Sequence, residues 1–301
     1  MAITKLDQMF EVLKSKSKKR LVAAYANDSH TIEAVSEAID KGIVDGTLVG
    51  DKETMLKVCG ELKINPDKFR LVHEPNESKA AALAVKLIND GEGDLLMKGL
   101  VSTDKYMKAI LNKENGLMDP GAILSHVTVM ENPNYGKLMI VGDVAIIPLP
   151  EFKQKVAILN YLVNTAKALG VEKPKVAVIS ASEQVLPGIP SCVDAALLAK
   201  MADRGQISGA YVDGPLALDA AIDKESAQIK KLTGPVAGDA DCLLFPNIES
   251  GNVFYKTNTK LAKAELGAFV AGARVPCVLS SRGDSSLVKL YSIALAALIA
   301  K

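Results

Sequence analysis

Ser281 and Arg282 sit in LSSRGDSS, residues 279 to 286, between an apolar run, VPCVLS, and a long stretch with apolar residues at helical spacing. The N-terminus of a helix presents unpaired backbone N–H groups and roughly half a positive charge, so it attracts anions before any side chain is added. Arg282 supplies a planar, permanently charged fork suited to phosphate oxygens, and Ser280 and Ser281 supply hydroxyl donors. Asp284 or Ser285 caps the helix, whose apolar face runs through Leu287, Leu290, Tyr291, Ala294 and Leu298. Two readings stand on spacing alone. One is half of a phosphate or carboxylate clamp; the other is ordinary capping chemistry beside an arginine that is solvated or paired with Asp284.

Similar junctions recur along the chain. MKGLVST, 97 to 103, offers Lys98, Gly99, Ser102 and Thr103, where either hydroxyl residue also serves as a helix cap and Lys98 also reads as a surface charge. VDGPLALD, 212 to 219, offers Asp213, Gly214 and Pro215, which also read as a turn. FPNIESGNVFYK, 245 to 256, again mixes small, acidic and basic residues. Recurrence in one chain favours the functional reading.

A repeated unit positions these junctions. RLVAAYA (20 to 26) is a short apolar run, NDSH supplies turn and capping residues, and TIEAVSEAIDKG (31 to 42) has helical spacing ending in glycine. The unit returns at GTLVGD, FRLVHE and DLLMKG, followed by helices expected over 52 to 62, 77 to 90 and 103 to 112. It resumes at KVAVIS, GAYVDG and DCLLFPN with helices over 191 to 203, 215 to 231 and 251 to 266, and at VPCVLS before the last helix. Strands alternating with helices predict an α/β protein of the doubly wound kind, with mostly parallel sheets covered on both faces. In such sheets chemistry collects beyond the carboxyl ends of the strands, where the junctions lie. HVTVME, GKLMIVGD and VAIIPLP, between 126 and 150, come without helices and predict three consecutive strands at a passage between domains. The domains expected are 1–134 with 270–301, and 135–269, the second containing a long helix over 151 to 170.

Composition limits the partners. At 301 residues the chain can bury a large core, and 36 basic against 35 acidic side chains leave no global field for nucleic acid or an anionic membrane. Any bound anion must be gripped locally. Cys59, Cys192, Cys242 and Cys277 lie far apart with no metal-binding spacing, which predicts reduced thiols and no metal site. Residues 1 to 20 place apolar groups before the lysines, the reverse of a secretory signal, and the C-terminal apolar stretch is too short to span a bilayer. A cytoplasmic protein is expected. No GxGxxG follows the first strand, which disfavours a nicotinamide dehydrogenase.

Over nearly the whole chain, VDGPLALDAAI, AGDADCLLFPNIESGNVFYK and VPCVLSSRGDSS resemble the phosphate acyltransferase family, the phosphate acetyl- and butyryltransferases. LLMKGLVSTDKYMKAILNKENGL, LSHVTVME and SCVDAALLAKMADRGQISGAYVDGPLALD resemble its butyryl branch in particular. The resemblance implies two α/β domains with an interdomain active-site cleft, of the isocitrate and isopropylmalate dehydrogenase kind. It implies exchange of butyryl-CoA and phosphate for butyryl phosphate and CoA, directly, with no metal and no covalent enzyme intermediate. CoA is then a substrate and no cofactor is permanently bound. The partners implied are acyl-CoA, phosphate and acyl phosphate, together with further copies of the chain in a homo-oligomer.

Carried onto matching positions, Ser281 and Arg282 would hold and polarise the transferring acyl phosphate, and Asp284 would take the CoA thiol proton, with helix capping by Asp284 as the alternative. The acetyl members carry their catalytic aspartate where this chain has Val288. The chain has five arginines, Arg20, Arg70, Arg204, Arg274 and Arg282, so the additional anion-binding arginines of those members are absent or replaced by lysines. Lys98, Lys105 and Lys108 are the candidates. His126 lies in a motif the branch shares and is either a substrate contact or a satisfied structural histidine. Asp143 matches a motif aspartate facing the cleft, and Asn247, Glu249, Gly251, Asn252 and Lys256 fall in the family's PNIE-x-GN signature, with a binding role expected. A phosphate acetyltransferase is the nearest competing reading, and a catalytically silent acyl-CoA or phosphate binding protein on the same scaffold is the third.

Overall fold

A computed structural model describes residues 2–279 and 284–301, so Ser281 and Arg282 lie outside the described residues. In chain order the elements are α1 (Gln8–Lys14), β1 (Lys19–Ala24), α2 (Ser29–Asp40), β2 (Val44–Gly50), α3 (Lys52–Leu62), β3 (Phe69–His73), α4 (Glu77–Asn89), β4 (Leu95–Lys98) and α5 (Thr103–Ile110). There follow β5 (Ser125–Glu131), β6 (Met139–Gly142), α6 (Phe152–Ala168), β7 (Lys175–Ile179), α7 (Pro190–Asp203), β8 (Tyr211–Leu216), α8 (Leu218–Ile222) and α9 (Lys224–Ile229). The chain ends with β9 (Cys242–Leu244), α10 (Ile248–Lys260), β10 (Glu265–Ala271), β11 (Cys277–Val278) and α11 (Ser286–Ile299). Many helices start at the residue type the sequence supplies for it: Asp28, Asp51, Asn76, Ser102, Asn247 and Ser285 each accept a backbone N–H of their own first turn.

The chain packs as two compact units, Leu6–Leu124 with Leu266–Lys301, and Ser125–Glu265 with the chain start up to Lys5. In the first unit the strands run in the order β3, β2, β1, β4, β11, β10, parallel except for β10 against β11. In the second the order is β5, β6, β9, β7, β8, parallel except for β5 against β6. The doubly wound, mostly parallel reading therefore holds in both. Central strands are buried along their length, as near-continuous apolar runs covered on both faces require: β1 through Leu21, Val22, Ala23 and Ala24, and β4 through Leu95, Leu96 and Met97. In the first unit α11 buries Leu290, Ile293, Ala294, Leu295 and Ala297 and packs on α2 and α1, where Tyr291 stacks on Phe10 with ring centroids 5.6 Å apart.

Several elements differ from expectation. Residues 144 to 150 form no strand; Asp143 gathers the backbone N–H groups of that segment to its carboxylate, which curls it out of extended conformation. The helix expected over 251 to 266 ends at Lys260, and ELGAFVA becomes β10, a strand the spacing missed. The helix expected over 215 to 231 divides into α8 and α9, because Asp223 leaves helical backbone to cap the second piece. Residues 125 to 134, expected with the first domain, group with the second unit, where β5 finds its antiparallel partner β6. Asp213, Gly214 and Pro215 lie inside β8 rather than in a turn. Because β8 is the outer strand of its row, the N–H that proline lacks is tolerated there.

Candidate functional site

In the first unit β1 leads through α2 to β2 on one side, while β4 lies on the other side of β1, so the strand order reverses between β1 and β4. Ligands of open α/β sheets collect at the carboxyl ends beside such a reversal. At this point the chain places Lys98, the last residue of β4, with only 2% of its surface exposed. Its Nζ donates to the Gly99 carbonyl at 3.1 Å. Gly99 crosses the end of β1 so closely that a Cβ there would stand 2.5 Å from the Tyr25 carbonyl oxygen, which only glycine permits. Its N–H donates to Ala24 O at 2.9 Å, fixing the turn that follows.

Ser102 then caps α5 through its hydroxyl, while its own N–H donates to the Glu77 carboxylate at 2.6 Å. Glu77 also pairs with Lys105. Thr103, the first residue of α5, is exposed. Of the three lysines singled out from sequence, Lys98 is buried, Lys105 is bound to Glu77, and Lys108 is an exposed partner of Asp104 at 2.9 Å.

The strand beside β4 is β11, whose Val278 is level with Met97. Residues 279 to 284 therefore leave the sheet next to Lys98. On the far side of that junction Ser285, not Asp284, caps α11, accepting from Val288 N at 3.3 Å. Lys289, one turn into the helix, is 2% exposed. Burial holds its ammonium below the ordinary lysine range, against the opposing charges of Asp28 and Asp284. Asp28 caps α2 with one carboxylate oxygen; the other is buried and has no hydrogen-bond partner among the described residues. Sequence reading noticed Lys289 only as an interruption of an apolar stretch. A lysine on the buried stripe of an otherwise apolar helix was the available signal.

In the second unit the antiparallel pairing of β5 with β6 brings the start of one to the end of the other, so Ser125 and His126 adjoin Asp143. The Asp143 carboxylate accepts from Ser125 Oγ at 3.1 Å and from the backbone N–H groups of His126, Ala145, Ile146 and Ile147 at 3.2, 2.7, 2.9 and 3.3 Å. A carboxylate offers about four lone-pair directions, so the protein's own donors occupy this one. The His126 ring Nδ1 lies 3.2 Å from the Thr128 hydroxyl, and both residues are buried. Asn247 caps α10 by accepting from Ser250 N at 2.9 Å. Gly251 passes against the Asp143 backbone, and Asn252 Nδ2 donates to Val144 O at 3.0 Å. The signature Asn-x-x-x-Gly-Asn thus docks α10 on the segment that Asp143 shapes.

Glu249 is exposed at the edge of a mostly apolar cavity of about 640 Å³ whose walls include Ile179, Leu218, Phe245, Val253 and Phe254. Lys256 is exposed, with its Nζ 5.0 Å from the centre of the Tyr255 ring. Asp213 stands apart from both groups, in a recess of about 370 Å³ with Lys173, Asp203 and Tyr211. Burial, with a smaller contribution from Asp203, raises its carboxyl above the usual range, while a bond from Gly214 N opposes the shift. Gly214 packs against Val178 and Ala195. No helix among the described residues is long and apolar enough to cross a membrane.

Comparison with known proteins bears on this geometry. Residues 62–297 match the family model "Phosphate acetyl/butaryl transferase". The chain is 46% identical to phosphate butyryltransferase of Clostridium acetobutylicum over 298 residues, covering 99% of each chain. It is 41% identical to phosphate acetyltransferase of Thermotoga maritima, over 98% of this chain and 99% of that one. Among solved structures, a branched-chain phosphotransacylase from Enterococcus faecalis superimposes with a TM-score of 0.80 at 30% identity, over 94% of this chain and 100% of that one.

Proposed function

The chain belongs to the phosphate acetyl/butaryl transferase family and is a phosphate acyltransferase; we propose that it exchanges a butyryl group between CoA and inorganic phosphate. A phosphate oxygen adds to the thioester carbonyl carbon, the carbon–sulfur bond breaks, and CoA leaves as thiolate. In the reverse direction the CoA thiol must first lose its proton. A free thiol has a pKa of about 8.5 and is mostly protonated at neutral pH, so a base is needed.

Asp284 takes that role in this reading. Arg282 and Ser281 hold the phosphate and the developing oxyanion, where a preorganised donor is worth about 2.7–4 kcal/mol in the transition state. Lys98 adds a buried positive charge next to the junction, with Gly99, Ser102 and Thr103 forming the turn and helix start beside it. His126, Asn247, Glu249 and Lys256 are proposed substrate contacts of the second unit, whereas Asp143, Gly251 and Asn252 act through the segment they shape. Asp213, Gly214 and Pro215 remain proposed contacts on the family motif alone. CoA enters as a substrate, and the protein works in the cytoplasm as a homo-oligomer.

The observation that best supports the reading is that capping of α11 falls to Ser285, so the cap does not occupy the Asp284 carboxylate. The test is phosphate-dependent release of CoA thiol from acetyl-, propionyl-, butyryl- and branched acyl-CoA side by side. Release that requires phosphate and peaks at butyryl is expected. A peak at acetyl assigns the sister activity, which the Thermotoga maritima relative carries in its name. No release with any of them leaves an acyl-CoA or phosphate binding protein.

A further inference from the structure

Lys289 is a costly residue for its position. A buried ammonium loses its hydration, and near the start of a helix it also meets the positive end of the macrodipole. Something must offset both. Side chains on a helix lean toward its N-terminus, so the Lys289 stem runs back over the turn that opens at Ser285, toward Asp284. That turn is closed by the bond from Lys289 N to Ser285 O at 3.1 Å. From the other side α2 packs on α11, and its capping residue Asp28 keeps one carboxylate oxygen buried without a hydrogen bond among the described residues. α1, β4 and β11 also pack against α11, but the charges that act on Lys289 are those of Asp28 and Asp284. One carboxylate sits on each side of the ammonium, and one of the two belongs to the junction that carries Ser281 and Arg282.

We propose that Lys289 is a positioning residue for acyl transfer, tying Asp284 to the start of α2 through Asp28 and so fixing where Asp284 stands beside the Ser281 and Arg282 pair. The proposal rests on the reading of Asp284 as the proton acceptor. It predicts a role in the chemical step rather than in substrate binding. Displacing a reacting group by about 1 Å costs on the order of 100-fold in rate.

The experiment compares Lys289→Met, Lys289→Arg, Asp284→Asn and the Lys289→Met/Asp284→Asn double variant, assayed from acyl phosphate and CoA. Lys289→Met is expected to lower kcat roughly 10- to 100-fold with KM changed less than about threefold, and Lys289→Arg to restore most of it. In the Asp284→Asn background Lys289→Met should cost nothing more, because the group it positions is gone. Full turnover by Asp284→Asn overturns the base assignment and this inference with it. Slow Asp284→Asn beside normal Lys289→Met overturns the inference alone, as does a Lys289→Met loss that recurs at full size on Asp284→Asn. Should Lys289→Met fail to fold, the same set is made in an Asp28→Asn background. Asparagine keeps the cap of α2 while removing the carboxylate that the lysine would leave unpaired.

Discussion

Gly251 passes so close to Asp143 that a Cβ on the glycine would stand 2.4 Å from the Asp143 carbonyl oxygen. The neighbour is backbone, not a side chain that can swing away, and its carboxylate is fixed by five donors. Gly251→Ala must therefore push α10 off the 143–147 segment. A loss of about 1–3 kcal/mol is expected, typical of overpacking a well-filled site. Gly60, inside α3 with nothing within 4 Å of a built Cβ, is the control, and Gly60→Ala should stabilise by roughly 0.5–1 kcal/mol. Urea midpoints of the two variants that move the same way would refute the close-approach account.

Arg282→Gln should cut turnover by roughly 100- to 1000-fold while leaving the melting temperature and circular dichroism of the wild type intact. The side chain retains hydrogen-bonding capacity but loses the permanent charge, so what is removed is stabilisation of developing negative charge. Arg282 lies outside the described residues, and this expectation rests on its chemistry and the family resemblance. Near-normal turnover removes Arg282 from the reactive site.

The repeated strand and helix unit was legible because period-2 and period-3.6 patterns are local, and capping residues such as Asp51, Asn76 and Asn247 mark helix starts directly. Sequence also pointed to the junction residues, since polar and small groups between apolar runs have few other places to go. What it could not supply was partnership across the fold. Asp143 reads as a cleft aspartate until β5 and β6 pair and surround it with donors. Lys289 reads as an interruption until α2 brings Asp28 against it. β10 escaped because the chain turns from α10 into it within a few residues, and its apolar run continues a helical spacing. Asp213, Gly214 and Pro215 read as a turn because their propensities are local, whereas an edge strand accommodates them only in the finished sheet.

Asp94 gives a pH-dependent prediction. Its carboxylate accepts from Arg20 at three places, Nη2 at 2.5 Å, backbone N at 2.8 Å and Nε at 3.1 Å, and so ties the segment before β4 to the start of β1. The Arg20 side-chain bond, more than any other cause, holds the Asp94 carboxyl below the usual range. A group whose pKa is lowered by folding adds stability that is fully present above its unfolded pKa, about 3.9 for aspartate. That stability is lost as pH falls through the lower folded value. Asp94→Asn should therefore be less stable than the wild type near pH 7, by about 1 kcal/mol because the guanidinium is half in water and screened. The gap should narrow as pH drops below about 4 and close at lower pH, where the native carboxylate is itself protonated. Urea unfolding of both proteins at pH 7, 5, 4 and 3 follows the difference directly. A gap of constant size across that series would mean the three bonds hold the two strands by geometry alone, with no contribution from the charge on Asp94.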